Sequence, residues 1–375
     1  MAWRKLKFGD IAKLSNERFY PGDLKKGQEP FRCLELEHLE SGTGRIRAWS
    51  NSAEQRSAKN RFKSGDILYG KLRPYLKKYH FAQFEGICST EIWVINSKDE
   101  SVANEYLFYL VQTEKFNNAA NVSSGTRMPR ADWSYLKNVE FDVPPLREQN
   151  KISRILSLWD TALNLKEELI EKKHDQKKAL MQKLLTGETR LPGFDEKWEE
   201  VRLGDLGELY QPQTISQRQL KNAGYPVFGA NGLIGYYDMY NHENWQTLIT
   251  CRGSTCGTVN RSLPKSWITG NAMVFNVDES NHVDKEFAYY LCLNQDFSRI
   301  ISGSGQPQIT RAPLVNYRVT IPTNKEEQIR IREIIATIDK EMQLLTKELE
   351  LVKRQKKGLM QLLLTGIVRV KEVVL

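Results

Sequence analysis

Between Lys59 and Tyr79 the chain carries Lys59, Arg61, Lys63, Lys71, Arg73, Lys77 and Lys78, interleaved with Tyr69, Tyr75 and Tyr79. Ammonium and guanidinium groups bind phosphate, forked arginines read guanine edges, and tyrosine rings stack or hydrogen-bond. Such a run suits a polyanion, although a solvated basic face has the same composition. The candidate contacts here are Lys71, Arg73, Tyr75, Lys77 and Lys78. A second, smaller loop, Thr250-Cys-Arg252-Gly-Ser254-Thr255-Cys256-Gly257, gathers hydroxyls around one guanidinium, with Arg252, Ser254 and Thr255 as candidates. Two further stretches expose backbone N–H and hydroxyl donors of the kind that hold phosphate. They are Ser123-Ser124-Gly-Thr126-Arg127-Met-Pro-Arg130 and Ser302-Gly-Ser304-Gly-Gln306-Pro-Gln308-Ile-Thr-Arg311. Their candidates are Ser124, Thr126 and Arg127 in the first, and Ser304, Gln306, Gln308 and Arg311 in the second. Ordinary turns have the same wording.

Catalytic patterns are missing. Gly70-Lys71 is followed by Leu72, where a phosphate-binding P-loop needs Ser or Thr, so it is not one. No HExxH, GxSxG or EF-hand pattern occurs, nor the Asn/Asp-Pro-Pro-Tyr/Phe tetrapeptide of amino-methyltransferases. Gly229-Ala-Asn-Gly232-Leu-Ile-Gly235 imitates a nucleotide loop but lacks the GxG start, and reads as a tight turn. The five cysteines (33, 88, 251, 256 and 292) form no CxxC pair and the five histidines are dispersed. Idle thiols in a reducing cytosol are expected, with no disulfide framework, no metal site and no catalytic residue.

A chain of 375 residues, 40% hydrophobic and 27% charged, has room for two to three domains with real cores. No run of about 18 apolar residues occurs, and the start lacks the apolar stretch of a signal peptide, so a soluble cytoplasmic protein is expected, with no membrane partner. The net charge is +9, and residues 1–145 hold 23 basic against 18 acidic side chains, more than half of that excess. If nucleic acid binds, this region is where salt should weaken binding most.

The loops above occupy matching places in a repeat. Trp3-Arg-Lys-Leu-Lys-Phe-Gly9-Asp10-Ile11 recurs as Trp198-Glu-Glu-Val-Arg-Leu-Gly204-Asp205-Leu206, and Leu180-Met-Gln-Lys-Leu-Leu-Thr-Gly187 recurs as Leu359-Met-Gln-Leu-Leu-Leu-Thr-Gly366. Glu148-Gln149 and Asp160 return as Glu327-Gln328 and Asp339. The ends agree while the middles differ in length and wording. A period near 180 residues is far too long for a solenoid, so the chain is a duplicated domain pair.

In each copy an irregular, aromatic and β-branched first part comes before a long helix. Strands are expected at Gly65–Tyr69, Glu91–Ile95, Gln246–Thr250 and Ala272–Phe275, with one helix from Glu105 to Phe116 and its match from Glu286 to Phe297. Further on, Ile331, Ile335, Ile338, Met342, Leu345, Leu349, Val352, Leu359 and Leu363 step by threes and fours, an a/d seam broken only by Lys356. The first copy has the same seam at Ile152, Leu156, Trp159, Leu163, Ile170, Leu180 and Leu184, interrupted by Lys166, Lys173 and Lys177. Pro144-Pro145 and Pro322 lead into the helices, and Gly187 and Gly366 follow them, where a left-handed cap is wanted. The expected fold is α+β: two strand-rich globules, each followed by a long helix, with the helices packed as an antiparallel coiled coil of pseudo-two-fold symmetry. The divisions are 1–145 and 198–322 for the globules, 146–190 and 323–368 for the helices, and 191–197 for the linker. The helix ends near Leu180–Leu185 and Leu359–Leu364 are apolar enough either to contact a partner or to pack on each other.

In this order and in duplicate, several segments closely resemble the specificity subunits of type I restriction–modification systems. They are Tyr225-Pro-Val-Phe-Gly-Ala-Asn-Gly-Leu-Ile-Gly-Tyr-Tyr-Asp238, Thr269-Gly-Asn-Ala-Met-Val-Phe275, Gly305-Gln-Pro-Gln-Ile-Thr310, Pro144 to Leu156, Leu184-Leu-Thr-Gly187 and Arg190-Leu-Pro-Gly-Phe194. The resemblance implies that each globule is a target recognition domain for one half of a bipartite, asymmetric site in double-stranded DNA. It implies that the helices fix the gap and dock two methyltransferase subunits, which bind S-adenosylmethionine and methylate adenine N6. In a restriction complex, two translocase–nuclease subunits using ATP with magnesium would join. The chain itself would hold no cofactor and would not be an enzyme. A subunit of a methylation-only system has the same sequence features, and a protein-only coiled-coil scaffold is the reading from another class.

Overall fold

The structure is a computed structural model describing residues 2–24, 29–122, 128–303 and 305–370. It divides into two compact units. Unit 1 comprises Met1–Glu167 with Glu348–Leu375, and unit 2 comprises Glu168–Lys347. The division runs through both long helices, Leu146–Leu185 and Lys325–Leu364.

Two sheets recur in both units. Arg4–Lys7 pairs antiparallel with Glu140–Val143 in unit 1, as Trp198–Arg202 does with Arg318–Pro322 in unit 2. A four-stranded antiparallel sheet then runs Ala12–Leu14, Ile92–Ser97, Ile67–Gly70, Tyr79–Phe81. Its counterpart runs Glu208–Tyr210, Ala272–Asn276, Thr247–Thr250, Val259–Arg261. The expected strands all exist, shifted by a residue or two. Ile67–Gly70 and Thr247–Thr250 are buried at every position, which is why they read as short apolar runs rather than alternating ones. The third sheet differs between the copies. Unit 1 builds five strands from Arg18–Phe19, Lys59–Phe62, Gly86–Cys88, Arg32–Leu34 and Ser50–Asn51, whereas unit 2 builds three from Gly232–Tyr237, Tyr225–Gly229 and Trp267–Ile268. The Gly229-Ala-Asn-Gly232 segment is the two-residue turn of a hairpin, with Gly229 opposite Gly232.

The two short helices are less continuous than expected. Glu105–Phe116 is split into Asn104–Leu110 and Glu114–Ala120, because Thr113 leaves the helix and its hydroxyl accepts from the Phe116 N–H. Its match is Lys285–Leu293, capped by the Asp284 carboxylate, followed by a separate 3₁₀ turn at Phe297–Ile300.

The Glu-Gln pair that opens each long helix explains its own recurrence. Gln149 accepts from the Ala103 N–H and donates to the carbonyls of Pro144 and Ser101, tying helix, short helix and exit strand together. Gln328 makes the same three bonds to Asp284, Pro322 and His282. Glu148 accepts from the Trp3 indole and from Arg369, and Glu327 accepts from the Trp198 indole and from Arg190. Arg369 and Arg190 follow the Gly366 and Gly187 turns. Those glycines have φ of 73° and 74°, and an added Cβ on either would stand 3.2 Å from the Trp3 or Trp198 ring.

Within each unit, parts of both long helices lie side by side and antiparallel. In unit 1, Lys166 pairs with Glu348, Glu167 with Lys353 and Asp160 with Lys356. In unit 2, Lys173 pairs with Glu341 and Lys177 with Asp339. The lysines that interrupt the apolar seam therefore have acidic partners waiting on the facing helix. Asp160 also accepts from the Tyr109 hydroxyl at 2.8 Å, and Asp339 from Tyr290 at 2.9 Å. Each Tyr–Asp–Lys cluster joins a globule to both helices.

The apolar helix ends are largely buried, with Leu362 exposed. Leu363 and Leu364 enter the unit 1 core beside Phe8, Tyr106 and Phe141, and Met181, Leu184 and Leu185 enter the unit 2 core. Burial contributes about 1.5–3 kcal/mol for each of these side chains. Along the helix flanks Leu158, Leu165, Leu169, Leu344 and Leu351 are also exposed. Among the described residues no helix is long and apolar enough to cross a membrane.

Candidate nucleic-acid interface

The basic run of unit 1 separates into two groups. Lys59 is buried and pairs with Glu35, Arg61 pairs with Glu85, and Lys63 pairs with Glu17. These cations each face a carboxylate around the five-stranded sheet. The second group lies on the connection from Ile67–Gly70 to Tyr79–Phe81. Here Arg73, Tyr75 and Lys77 are exposed, while Lys71 is half-buried. Among the described residues Arg73 and Lys77 have no ion-pair partner. Lys78 is the exception, because its ammonium donates to the Leu36 carbonyl at 2.5 Å and so fastens the loop.

The loop is built by local backbone geometry. Gly70 N–H donates to the Lys78 carbonyl and closes its base, and Leu76 N–H donates to the Arg73 carbonyl across a one-turn 3₁₀ helix, Pro74–Leu76. Arg73 (φ 52°, ψ 59°) and Lys77 (φ 49°, ψ 50°) flank that turn, both left-handed. Side chains other than glycine pay about 1–2 kcal/mol for this conformation.

Unit 2 makes the same loop with different residues. Thr250 N–H donates to the Thr258 carbonyl, and Cys256 N–H donates to the Gly253 carbonyl. Gly253 and Gly257 carry the positive φ, 89° and 90°. Arg73 thus corresponds to Gly253 and Lys77 to Gly257, a spacing of four in each copy. Between them stand exposed Ser254 and Thr255, the latter donating to the Asn231 side chain at 2.8 Å.

A second segment docks on each loop. In unit 1, Leu72 bridges Arg130, with Arg73 N–H donating to Pro129 and Ala131 N–H to Lys71. In unit 2, Arg252 bridges Gln308, with Gly253 N–H donating to Pro307 and Ile309 N–H to Cys251. The two candidate stretches in each copy, read separately in the sequence, therefore meet in one place. By this pairing Arg252 corresponds to Leu72 and Gln308 to Arg130. Gln306 is exposed beside the bridge, and Arg311, also exposed, donates its Nε–H to the Leu209 carbonyl. Ser124, Thr126, Arg127 and Ser304 lie outside the described residues.

Sequence reasoning missed a cleft of about 370 Å³ at the unit 1 junction, lined by Lys71, Trp93, Met128, Arg130, Asp132 and Trp133. Trp93 and Trp133 meet edge to face at 5.5 Å. Arg130 donates to Glu91 through Nε at 3.0 Å and Nη2 at 3.1 Å. Nothing local in the sequence marks Glu91 or the two tryptophans, since 39 residues separate Glu91 from Arg130. A larger cleft of about 950 Å³, lined by Arg45, His80, Tyr109, Arg154 and Asp160 among others, holds none of the candidates. Among the described residues no group of three or more His, Cys, Asp or Glu is placed to hold a metal ion.

Two unlike side-chain sets on one repeated scaffold suit the reading of two unlike ligand segments. Comparison with known proteins agrees with that class. The model of the type I restriction modification DNA specificity domain matches residues 2–172 and again 195–354. The chain belongs to this family. It is 25% identical to the type I restriction enzyme MjaVIII specificity subunit of Methanocaldococcus jannaschii, over 76% of this chain and 75% of that one. It is 33% identical to the Escherichia coli EcoDI specificity subunit, over 40% of this chain and 33% of that one. Among solved structures, a type I restriction–modification system S subunit from M. genitalium shares the fold, with a TM-score of 0.61, 18% identity and 96% of each chain covered. So does a chain from a structure on assembly and conformational transition of the type I R-M system, with a TM-score of 0.61, 21% identity and 98% of each chain covered.

Proposed function

We propose that this chain is the DNA specificity subunit of a type I restriction–modification complex, and that residues 1–145 and 198–322 each read one half of a bipartite, asymmetric site. The observation that carries the reading is the repeated loop junction. Lys71-Leu72-Arg73 with Arg130 in unit 1 and Cys251-Arg252-Gly253 with Gln308 in unit 2 share backbone bonds and differ in every side chain. Phosphate contacts position a protein on duplex DNA, and base-edge contacts specify the sequence. Arg73, Tyr75 and Lys77 supply the first kind in unit 1, and Arg252, Ser254, Thr255, Gln306 and Gln308 supply polar contacts in unit 2.

The helices at 146–190 and 323–368, joined through 191–197, set the gap between half-sites and dock two methyltransferase subunits. The exposed leucines Leu158, Leu165, Leu344 and Leu351 favour docking along the helix flanks. S-adenosylmethionine, and ATP with magnesium where nuclease subunits join, belong on the partners. The target adenine is flipped out of the stack there, as chemistry on a base requires. This chain contributes position and sequence choice and no catalytic group.

The test is methylation-sensitive long-read sequencing of the host genome with and without the gene. Loss of one gapped, asymmetric, adenine-methylated motif is expected. Exchange of residues 1–145 for those of another family member should then change one half of that motif and leave the other intact. A change in both halves would overturn the assignment of one globule to one half-site.

A further inference from the structure

Resting on the DNA-reading assignment above, we infer that the unit 1 cleft reads a guanine through Arg130, with Glu91 as its positioning residue. Position 130 is then the base-choosing position of the first half-site.

Arg130 is fixed at its backbone by the bridge to Leu72, one residue from the exposed cation Arg73. Its guanidinium is fixed by the two bonds to Glu91, which use Nε–H and one Nη2–H. Three of the five guanidinium N–H groups remain. One on each terminal nitrogen points along the end of the fork, the arrangement that donates to guanine O6 and N7. An arginine already held in plane loses less freedom on binding than a mobile one. The side chain is about half exposed, and Lys71 and the edges of Trp93 and Trp133 share its cleft.

Unit 2 supplies the second observation. Lys71 N–H donates to the Glu91 carbonyl, and the matching Cys251 N–H donates to the Asn271 carbonyl, so Asn271 stands where Glu91 stands. Gln308 stands where Arg130 stands. Where one copy has a charged pair the other has two amide residues, and both positions differ together. A glutamine side chain offers one donor and one acceptor, the complement of adenine N6 and N7. A staple between loop and strand would not require the exposed member of the pair to change between two base-reading chemistries.

The test uses alleles at the native locus and the methylated fraction at every variant of the motif. The wild-type motif is expected to contain a guanine in one half that Arg130→Gln with Glu91→Asn no longer requires. Discrimination at that single position should fall by roughly 5- to 150-fold, the range of one bidentate base contact. Arg130→Lys keeps the charge but not the fork, and should weaken preference at the same position. Glu91→Gln should weaken it less. The other half-site and the gap should not change. An unchanged motif in the double variant overturns the inference, as does relaxation spread over both halves. Loss of all methylation in every variant, Arg130→Lys included, also overturns it, because the pair is then a structural staple. Deletion of the gene leaving the methylome unaltered would instead refute the DNA-reading assignment itself.

Discussion

Replacing Arg73 and Lys77 by glycine, the residue at both matching positions of unit 2, separates what the loop needs for folding from what it needs for binding. Both side chains sit in the left-handed region, Arg73 at φ 52° and Lys77 at φ 49°. That conformation costs a residue with a Cβ about 1–2 kcal/mol, and Pro74 restricts Arg73 further. Glycine removes the penalty but gives the unfolded chain more freedom, which returns roughly 0.5–1 kcal/mol. The net expectation is a gain of up to about 1 kcal/mol at each site, or roughly 2–4 °C in melting temperature for a domain of this size. The same substitutions remove two exposed cations. If both touch phosphate, the slope of log affinity against log salt should become shallower by about 1.8. Calorimetric melting and salt titration of duplex binding measure the two effects independently. Greater stability with an unchanged salt slope would refute the phosphate-contact assignment. A loss of more than about 1 kcal/mol would refute the strain argument, because the side chains would then be holding the loop together.

Two further outcomes follow from pairs that join distant parts of the chain. Lys356 and Asp160 are only 12% and 32% exposed, between the surface and buried limits, so Lys356→Met should cost about 1–3 kcal/mol. Asp160→Asn in the same chain should restore part of that loss. A urea-unfolding double-mutant cycle with a coupling below about 0.5 kcal/mol would show the pair to be incidental. The Glu148 carboxyl is held below its ordinary value of 4.5, first by the hydrogen-bonded Arg369 guanidinium and then by the Trp3 indole N–H. A carboxyl whose folded pKa is depressed contributes stability above its unfolded pKa and loses it as pH falls through the folded value. Glu148→Gln should therefore be destabilising at neutral pH and nearly neutral in acid well below 4.5. An equal deficit at both pH values would mean that the charge is not what Glu148 contributes.

The duplication, the two long helices and their glycine ends were legible in the sequence, because a recurring word and a three–four apolar step are one-dimensional signals. Composition, not periodicity, singled out the stretches at 59–79, 250–257, 123–130 and 302–311. Local helix breaks were harder to read, since the Thr113 cap depends on a side chain bonding its own neighbourhood rather than on periodicity. In the sequence Lys59, Arg61 and Lys63 are indistinguishable from the candidate cations next to them. Their acidic partners lie 24 to 46 residues away and pair with them only in the folded sheet.

By itself, then, the sequence determined that one architecture is written twice with unlike middles, and which family that pattern belongs to. Tertiary structure decided which residues share a place. It set Arg130 against Glu91 and the two loop segments against each other in each copy. It gave the seam lysines their carboxylates and drew the leucines of each helix end into a core. It also matched Arg73 and Lys77 with two glycines. These are contacts across tens to hundreds of residues, set by pairing register and backbone φ, and neither quantity leaves a period in the chain that specifies it.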